Sequence, residues 1–238
     1  MVQGACQAVF TPPRVGTTEL LAPAWHTHVL VGSMLAVTAA GVALPQVAPP
    51  SRAAATPLAV TYLTLALVNL GLLGFVCRVG LERNILARLF SQRRSGAHGL
   101  LVDVAWGAAL ALAIVGAENL AQWLLGLPES LAAHALMPHS ASEKLAWVFL
   151  GALIGISEEL VYRGYLQRQL AGLSGWLPFG VVAQALLFGI AHGEQGGWAV
   201  ARFAVYALGL GWVAAARQSL LPCVLGHVAI DLMAGIAG

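Results

Sequence analysis

Residues 144–170 read KLAWVFLGALIGISEELVYRGYLQRQL. From Leu145 onward the stretch is apolar almost without a break until it reaches two adjacent glutamates and an arginine at 158, 159 and 163. As a helix rising about 1.5 Å per residue it is about 40 Å long, more than enough to cross a hydrocarbon core about 30 Å thick. A charged group at bilayer depth is costly unless it is paired or hydrated. A membrane helix that carries three such groups near its middle therefore states both the fold and the place to look for chemistry.

Outward from this helix the same pattern recurs. Apolar runs of spanning character lie at about 25–44, 56–77, 99–126, 177–192, 197–216 and 219–237, and with 144–170 they predict an all-α, polytopic membrane protein of about seven transmembrane helices. The run at 177–192 is short, and the run at 99–126 is long enough to tilt or to end in an interfacial turn near Trp123. Residues 1–24 lack the basic segment followed by an apolar core that marks a secretory signal. They read as a short amino-terminal tail before a single transmembrane domain, 25–238, whose polar residues concentrate in 145–235.

Composition agrees. The chain of 238 residues is 59% hydrophobic and 9% charged, with a mean hydropathy of +0.80, whereas soluble domains carry roughly 25% charged residues. Twelve Lys and Arg against ten Asp and Glu leave a net charge of +2. With no basic block beyond one short loop, nucleic acid is excluded as a partner. Cys6, Cys77 and Cys223 have no paired spacing, so neither a disulfide framework nor a thiolate zinc site is indicated.

Basic residues collect in cytoplasmic loops. If the segment holding Arg78, Arg83, Arg88, Arg93 and Arg94 is cytoplasmic, then Arg14, Arg168 and Arg217 are inside as well, and only Arg52 and Lys144 are outside. The amino terminus is thus expected in the cytoplasm. LERNILARLFSQRR (81–94) reads as a solvated positive loop, with an amphipathic surface helix as the alternative, and APPSRAAATP (48–57) reads as an external loop. Eleven of the twelve basic residues are Arg, which points to a GC-rich genome and a bacterial cytoplasmic membrane.

The charges inside the spans form a short set. Asp103 lies near a helix end and reads as interfacial, while Glu118 and Arg202 are placed to pair or to line one wet cavity. In the fourth helix Glu159 and Arg163 stand one turn apart on one face, and Glu158 is rotated from them by about 100°. One carboxylate is then neutralised by Arg163, and the other is free to act as a base. Depth brings a further partner: Glu158 and His192 each lie about 20 Å from the cytoplasmic ends of their helices, while His227 lies only about 12 Å in if its helix begins at Ser219. The polar cavity is expected within the last four helices, lined by Glu158, Glu159, Arg163, His192 and His227.

Three motifs in order, Glu158-Glu159-Leu-Val-Tyr-Arg163, Phe188-Gly-Ile-Ala-His192 and His227-Val-Ala-Ile-Asp231, resemble the CPBP family of intramembrane endopeptidases, the CAAX prenyl protease and bacteriocin-processing family. The resemblance covers roughly 145–235. It implies hydrolysis of a peptide bond in a membrane-associated protein or peptide, with Glu158 and His192 activating water. It also implies that His227 and Asp231 hold the oxyanion and that Glu159 and Arg163 support the site. An ionised Asp accepts but does not donate, so Asp231 is better suited to orienting His227 through its ring N–H.

No cofactor is expected. A zinc site, if one existed, would use His192, His227 and Glu158. Three other readings use parts of the same sequence. Gly172-Leu-Ser174-Gly175 matches the serine loop of rhomboid proteases and would pair Ser174 with His227. A non-catalytic immunity or assembly protein would keep the polar cluster for packing or peptide binding. A proton-coupled transporter is disfavoured by the small helix count and the lack of an internal repeat.

Overall fold

The computed structural model describes residues 20–47, 57–82, 96–126 and 134–237. The helices are α1 (Ala24–Val47), α2 (Leu58–Glu82), α3 (Gly96–Leu125), α4 (Ala141–Glu159), α5 (Gln167–Ser174), α6 (Leu177–Ala191), α7 (Gly197–Arg217) and α8 (Leu221–Ala237). Between α4 and α5 the chain stays helical over Leu160–Leu166, so these three pieces form one rod. Regular structure among the described residues is entirely helical. The tail 1–19 and most of the segments 48–57 and 81–94 lie outside the described residues.

Every apolar run expected from the sequence is a helix, but the seven differ in reach. Five are long and apolar enough to cross a membrane: Ala24–Ala43, Leu58–Arg78, His98–Leu125, Ala141–Ser174 and Gly197–Arg217. The helices α6 and α8 have 15 and 17 residues and rise only about 23 and 26 Å, less than the hydrocarbon core. The shortening of α8 has a local cause. Gln218 turns left-handed at the end of α7 with φ 53°, and the chain does not become helical again until Leu221, beside Pro222.

The interior is built as a membrane protein's should be, with small residues at crossings and large apolar ones outside. Leu112, Trp123 and Phe149 are at least 70% exposed, on faces that suit lipid. Close crossings need glycine at two places that matter for the site. A Cβ on Gly155 of α4 would stand 2.8 Å from the Val228 side chain of α8, and one on Gly107 of α3 would stand 2.9 Å from the Pro222 carbonyl. These contacts press α8 between α3 and α4, which brings His227 to the middle of α4. Ser157 donates to Asn69 at 2.6 Å and Trp147 packs on Tyr62, so α2 lies along α4 in the same direction. Asp103, placed near a helix end by its position in the sequence, is buried and accepts from Arg217 and Ser219.

Candidate active site

The fourth helix starts from a capping box in which the Glu143 amide donates to the Ser140 hydroxyl and the Ser140 amide donates to the Glu143 carboxylate. It keeps α pitch as far as Glu159. From Leu160 to Leu166 the backbone widens to π pitch, and all seven of these residues are buried. Such a bulge is uncommon and is often found where a helix carries function. Here it begins inside the Glu-Glu-x-x-x-Arg motif and runs on past Arg163.

Glu159 and Arg163 are 0% and 1% exposed. Arg163 Nη1 donates to Glu159 Oε1 at 2.7 Å, and His227 Nδ1 lies 2.8 Å from the same oxygen. A carboxylate already paired with a guanidinium is an acceptor, so Nδ1 carries the proton of this bond. The guanidinium also lies 4.7 Å over the Phe188 ring. Glu159, Arg163, His227 and Phe188, from three helices, thus make one closed knot. A buried pair of this kind is costly to form but far costlier to break, because the survivor is left as an uncompensated charge.

Glu158 faces the other way. It lines a cavity of about 780 Å³ that is also lined by His192 at the end of α6. His192 Nδ1 is 2.8 Å from the Phe188 carbonyl. A carbonyl only accepts, so this nitrogen bears the hydrogen, and neutral His192 carries its lone pair on Nε2. The imidazole is also held from its face: it stacks on Phe203 at 4.0 Å and 26°. Phe203 in turn lies 4.6 Å below the Arg202 guanidinium, which is ion-paired with Glu118 of α3. His227 Nε2 stands 3.6 Å from Glu158 Oε2 and 3.9 Å from Asp231 Oδ2.

The residues singled out from sequence therefore divide. Glu158 and His192 share the cavity wall, whereas Glu159, Arg163 and His227 pack behind it. The carboxylate that takes the His227 ring N–H is Glu159, and Asp231 is beyond hydrogen-bond distance. The Asp231 backbone carbonyl instead accepts from Trp147 at 2.7 Å. The cavity also differs from expectation in its walls. Alongside α4 and the end of α6, it is bounded by α1 from Val29 to Gly41 and by α2 from Leu65 to Phe75, helices expected to contribute only topology.

Two further expectations concern metal and serine chemistry. Among the described residues no group of three His, Cys, Asp or Glu side chains is disposed to hold a metal ion. Ser174 sits exposed at the end of α5, where its hydroxyl donates to the Leu170 carbonyl at 2.9 Å and accepts from the Trp176 amide. It is a turn residue. His227 is engaged with carboxylates elsewhere, and no hydrogen bond joins the two among the described residues.

Residues 140–233 match the family model described as type II CAAX prenyl endopeptidase Rce1-like. Over these residues the chain is similar to the CPBP family of intramembrane proteases. Neither a curated protein nor a solved structure matches the chain. The CPBP match begins at the Ser140 cap of α4 and ends two residues beyond Asp231, so it takes in all three motifs and leaves α1–α3 outside. The matched family is one of peptidases, which is consistent with a CPBP-type peptide hydrolase in a membrane setting.

One part of the architecture had no signal in the motifs. Gln169 accepts from the Leu21 and Ala22 amides and donates to the Ala22 carbonyl, at 2.7 to 3.2 Å. Tyr165, within the π segment, meets His26 at 2.8 Å and Thr27 at 3.1 Å. These bonds fasten the start of α1 to the rod that carries the glutamates. Backbone partners leave no mark in a sequence. The buried glutamine at 169 is the one trace of them.

Proposed function

We propose that the protein is an intramembrane endopeptidase that hydrolyses a peptide bond through water activated by Glu158 and His192, without a metal ion. The observation that carries this reading is that these two side chains, from α4 and α6, face one cavity. Glu158 takes a proton from water as the oxygen bonds to the scissile carbonyl carbon. The His192 Nε2 lone pair accepts a hydrogen bond from the same water and orients it. His227 acts here as an imidazolium set among the Glu159, Glu158 and Asp231 carboxylates: its Nδ1–H donates to Glu159 and its Nε2–H is presented on the Glu158 side as a donor to the developing oxyanion. Collapse of the tetrahedral intermediate breaks the C–N bond, and the proton held by Glu158 passes to the departing amine. Glu159 and Arg163 keep His227 in register, and Asp231 adds negative charge beside Nε2 without bonding to it.

The substrate in this reading is a protein or peptide within the bilayer. The enzyme lies in a bacterial cytoplasmic membrane with its amino terminus inside, an orientation supported by eight basic residues against two. The test is cleavage by purified protein in detergent or vesicles. Glu158→Gln and His192→Ala are expected to abolish cleavage while helix content and thermal unfolding stay at the wild-type level, and a chelator is expected to leave the wild-type rate unchanged. Activity retained in Glu158→Gln would refute the assignment of the base, and activity lost to the chelator and restored by zinc would refute metal independence.

A further inference from the structure

The cavity has a shape and a charge that bear on what enters it. The first two helices border it on either side but hardly touch each other; α1 packs on α6 and the turn at 193–195, and α2 packs on α4. They meet at one end, where His26 stacks on Phe75 at 3.9 Å. At the opposite end Gly41 of α1 lies next to Glu194, with 3.8 Å between an added Cβ and the glutamate's own. The gap is thus closed near His26 and open toward Glu194.

Its lining is apolar for most of its length, with Leu30, Val37, Leu67 and Leu72 among the walls. The wall from Val29 to Gly41 is about 18 Å tall, the length of five or six extended residues at about 3.3 Å each. A volume of about 780 Å³ falls within the roughly 300–1,000 Å³ usual for ligand sites. The ionisable groups that line it are Glu158, Tyr162, His192 and Glu194, and among the described residues no Lys or Arg does. Glu194 is exposed at the mouth, and its hydrogen-bond partner is the neutral amide of Gln195. A peptide that brought a free carboxylate into this space would meet two glutamates and no cation. A peptide with an apolar stretch and a cation at one end matches it.

We infer that the gap between α1 and α2 is the substrate-binding cleft and that Glu194 is a specificity residue, selecting an internal apolar segment with a Lys or Arg seated at the cleft mouth. This rests on the proposed proteolysis at Glu158 and His192 and adds which peptides reach them. Opposite charges at a partly solvated site attract modestly, and like charges repel by a similar amount. The selectivity expected is therefore about fivefold in kcat/KM between Lys and Glu at the mouth position.

The experiment uses full-length protein in detergent and a mixed library of apolar peptides. Each peptide carries Lys, Gln or Glu at one varied position, and cleavage products are identified by mass spectrometry. Wild type is expected to favour Lys over Gln over Glu at a fixed distance from the cleaved bond, and to cut within the chain rather than next to a free carboxyl end. Glu194→Lys is expected to invert that order. The same order in wild type and Glu194→Lys, or preferred cleavage beside a free carboxyl terminus, would overturn the inference. Glu158→Gln serves as the separate control. Full activity in that variant, or no cleavage of any peptide by wild type, would instead remove the proteolytic reading on which the inference rests.

Discussion

Glu158 and Glu159 are neighbours in the chain, yet the two faces of α4 that they begin are opposites. The Glu159 face is dry and closed: guanidinium, imidazole and carboxylate meet at 2.7 and 2.8 Å with Phe188 as a lid. The Glu158 face opens to a cavity shared with His192, and His227 Nε2 stands 3.6 Å from its carboxylate. The contrast separates holding from reacting. A group that must accept a proton cannot already be locked to a permanent cation, and a group that fixes geometry must be.

That contrast can be broken from either side. His192→Ala removes a cavity-face group and is expected to lower kcat by about 10²–10⁴-fold with little change in thermal unfolding, measured as cleavage beside a melting curve. Arg163→Ala breaks the closed face and leaves a buried carboxylate without its cation. The expected loss of stability is about 3–5 kcal/mol, read from unfolding in detergent, and activity should vanish with the fold. Gln169→Ala strips three hydrogen bonds from the start of α1 and is expected to cost about 1–3 kcal/mol, with faster amide exchange at Leu21 and Ala22. Glu118→Gln loosens the support beneath Phe203. Because the pair it makes with Arg202 is partly exposed, stability should fall by less than about 1 kcal/mol, while kcat drops several-fold as the His192 ring gains freedom.

The two faces were not equally legible in the sequence. All seven apolar runs are helices, since a run of apolar residues long enough for a bilayer has little alternative to helix. The separation of Glu158 from Glu159 follows from 3.6 residues per turn, and so does the pairing of Glu159 with Arg163. Ordinary helical spacing carries no hint that the pitch widens at Leu160. The partner of His227 was misjudged for a related reason: Asp231 is its neighbour one turn along the same helix, and only the crossing at Gly155 reveals that Glu159 of another helix comes nearer. The role of α1 and α2 was hidden most completely. Their contribution is mostly an apolar wall and backbone amides, joined to the rod by only a few polar side chains, His26, Thr27 and Asn69, and an apolar wall looks like any other membrane helix.

The most direct test compares two isosteric changes on neighbouring residues, Glu158→Gln and Glu159→Gln, each assayed for cleavage and for thermal unfolding in the same detergent. Glu158→Gln should abolish cleavage with the melting temperature unchanged, and Glu159→Gln should lower the melting temperature markedly. Cleavage that survives in Glu158→Gln, or a Glu159→Gln protein as stable as wild type, would contradict the division between the reacting face and the holding face.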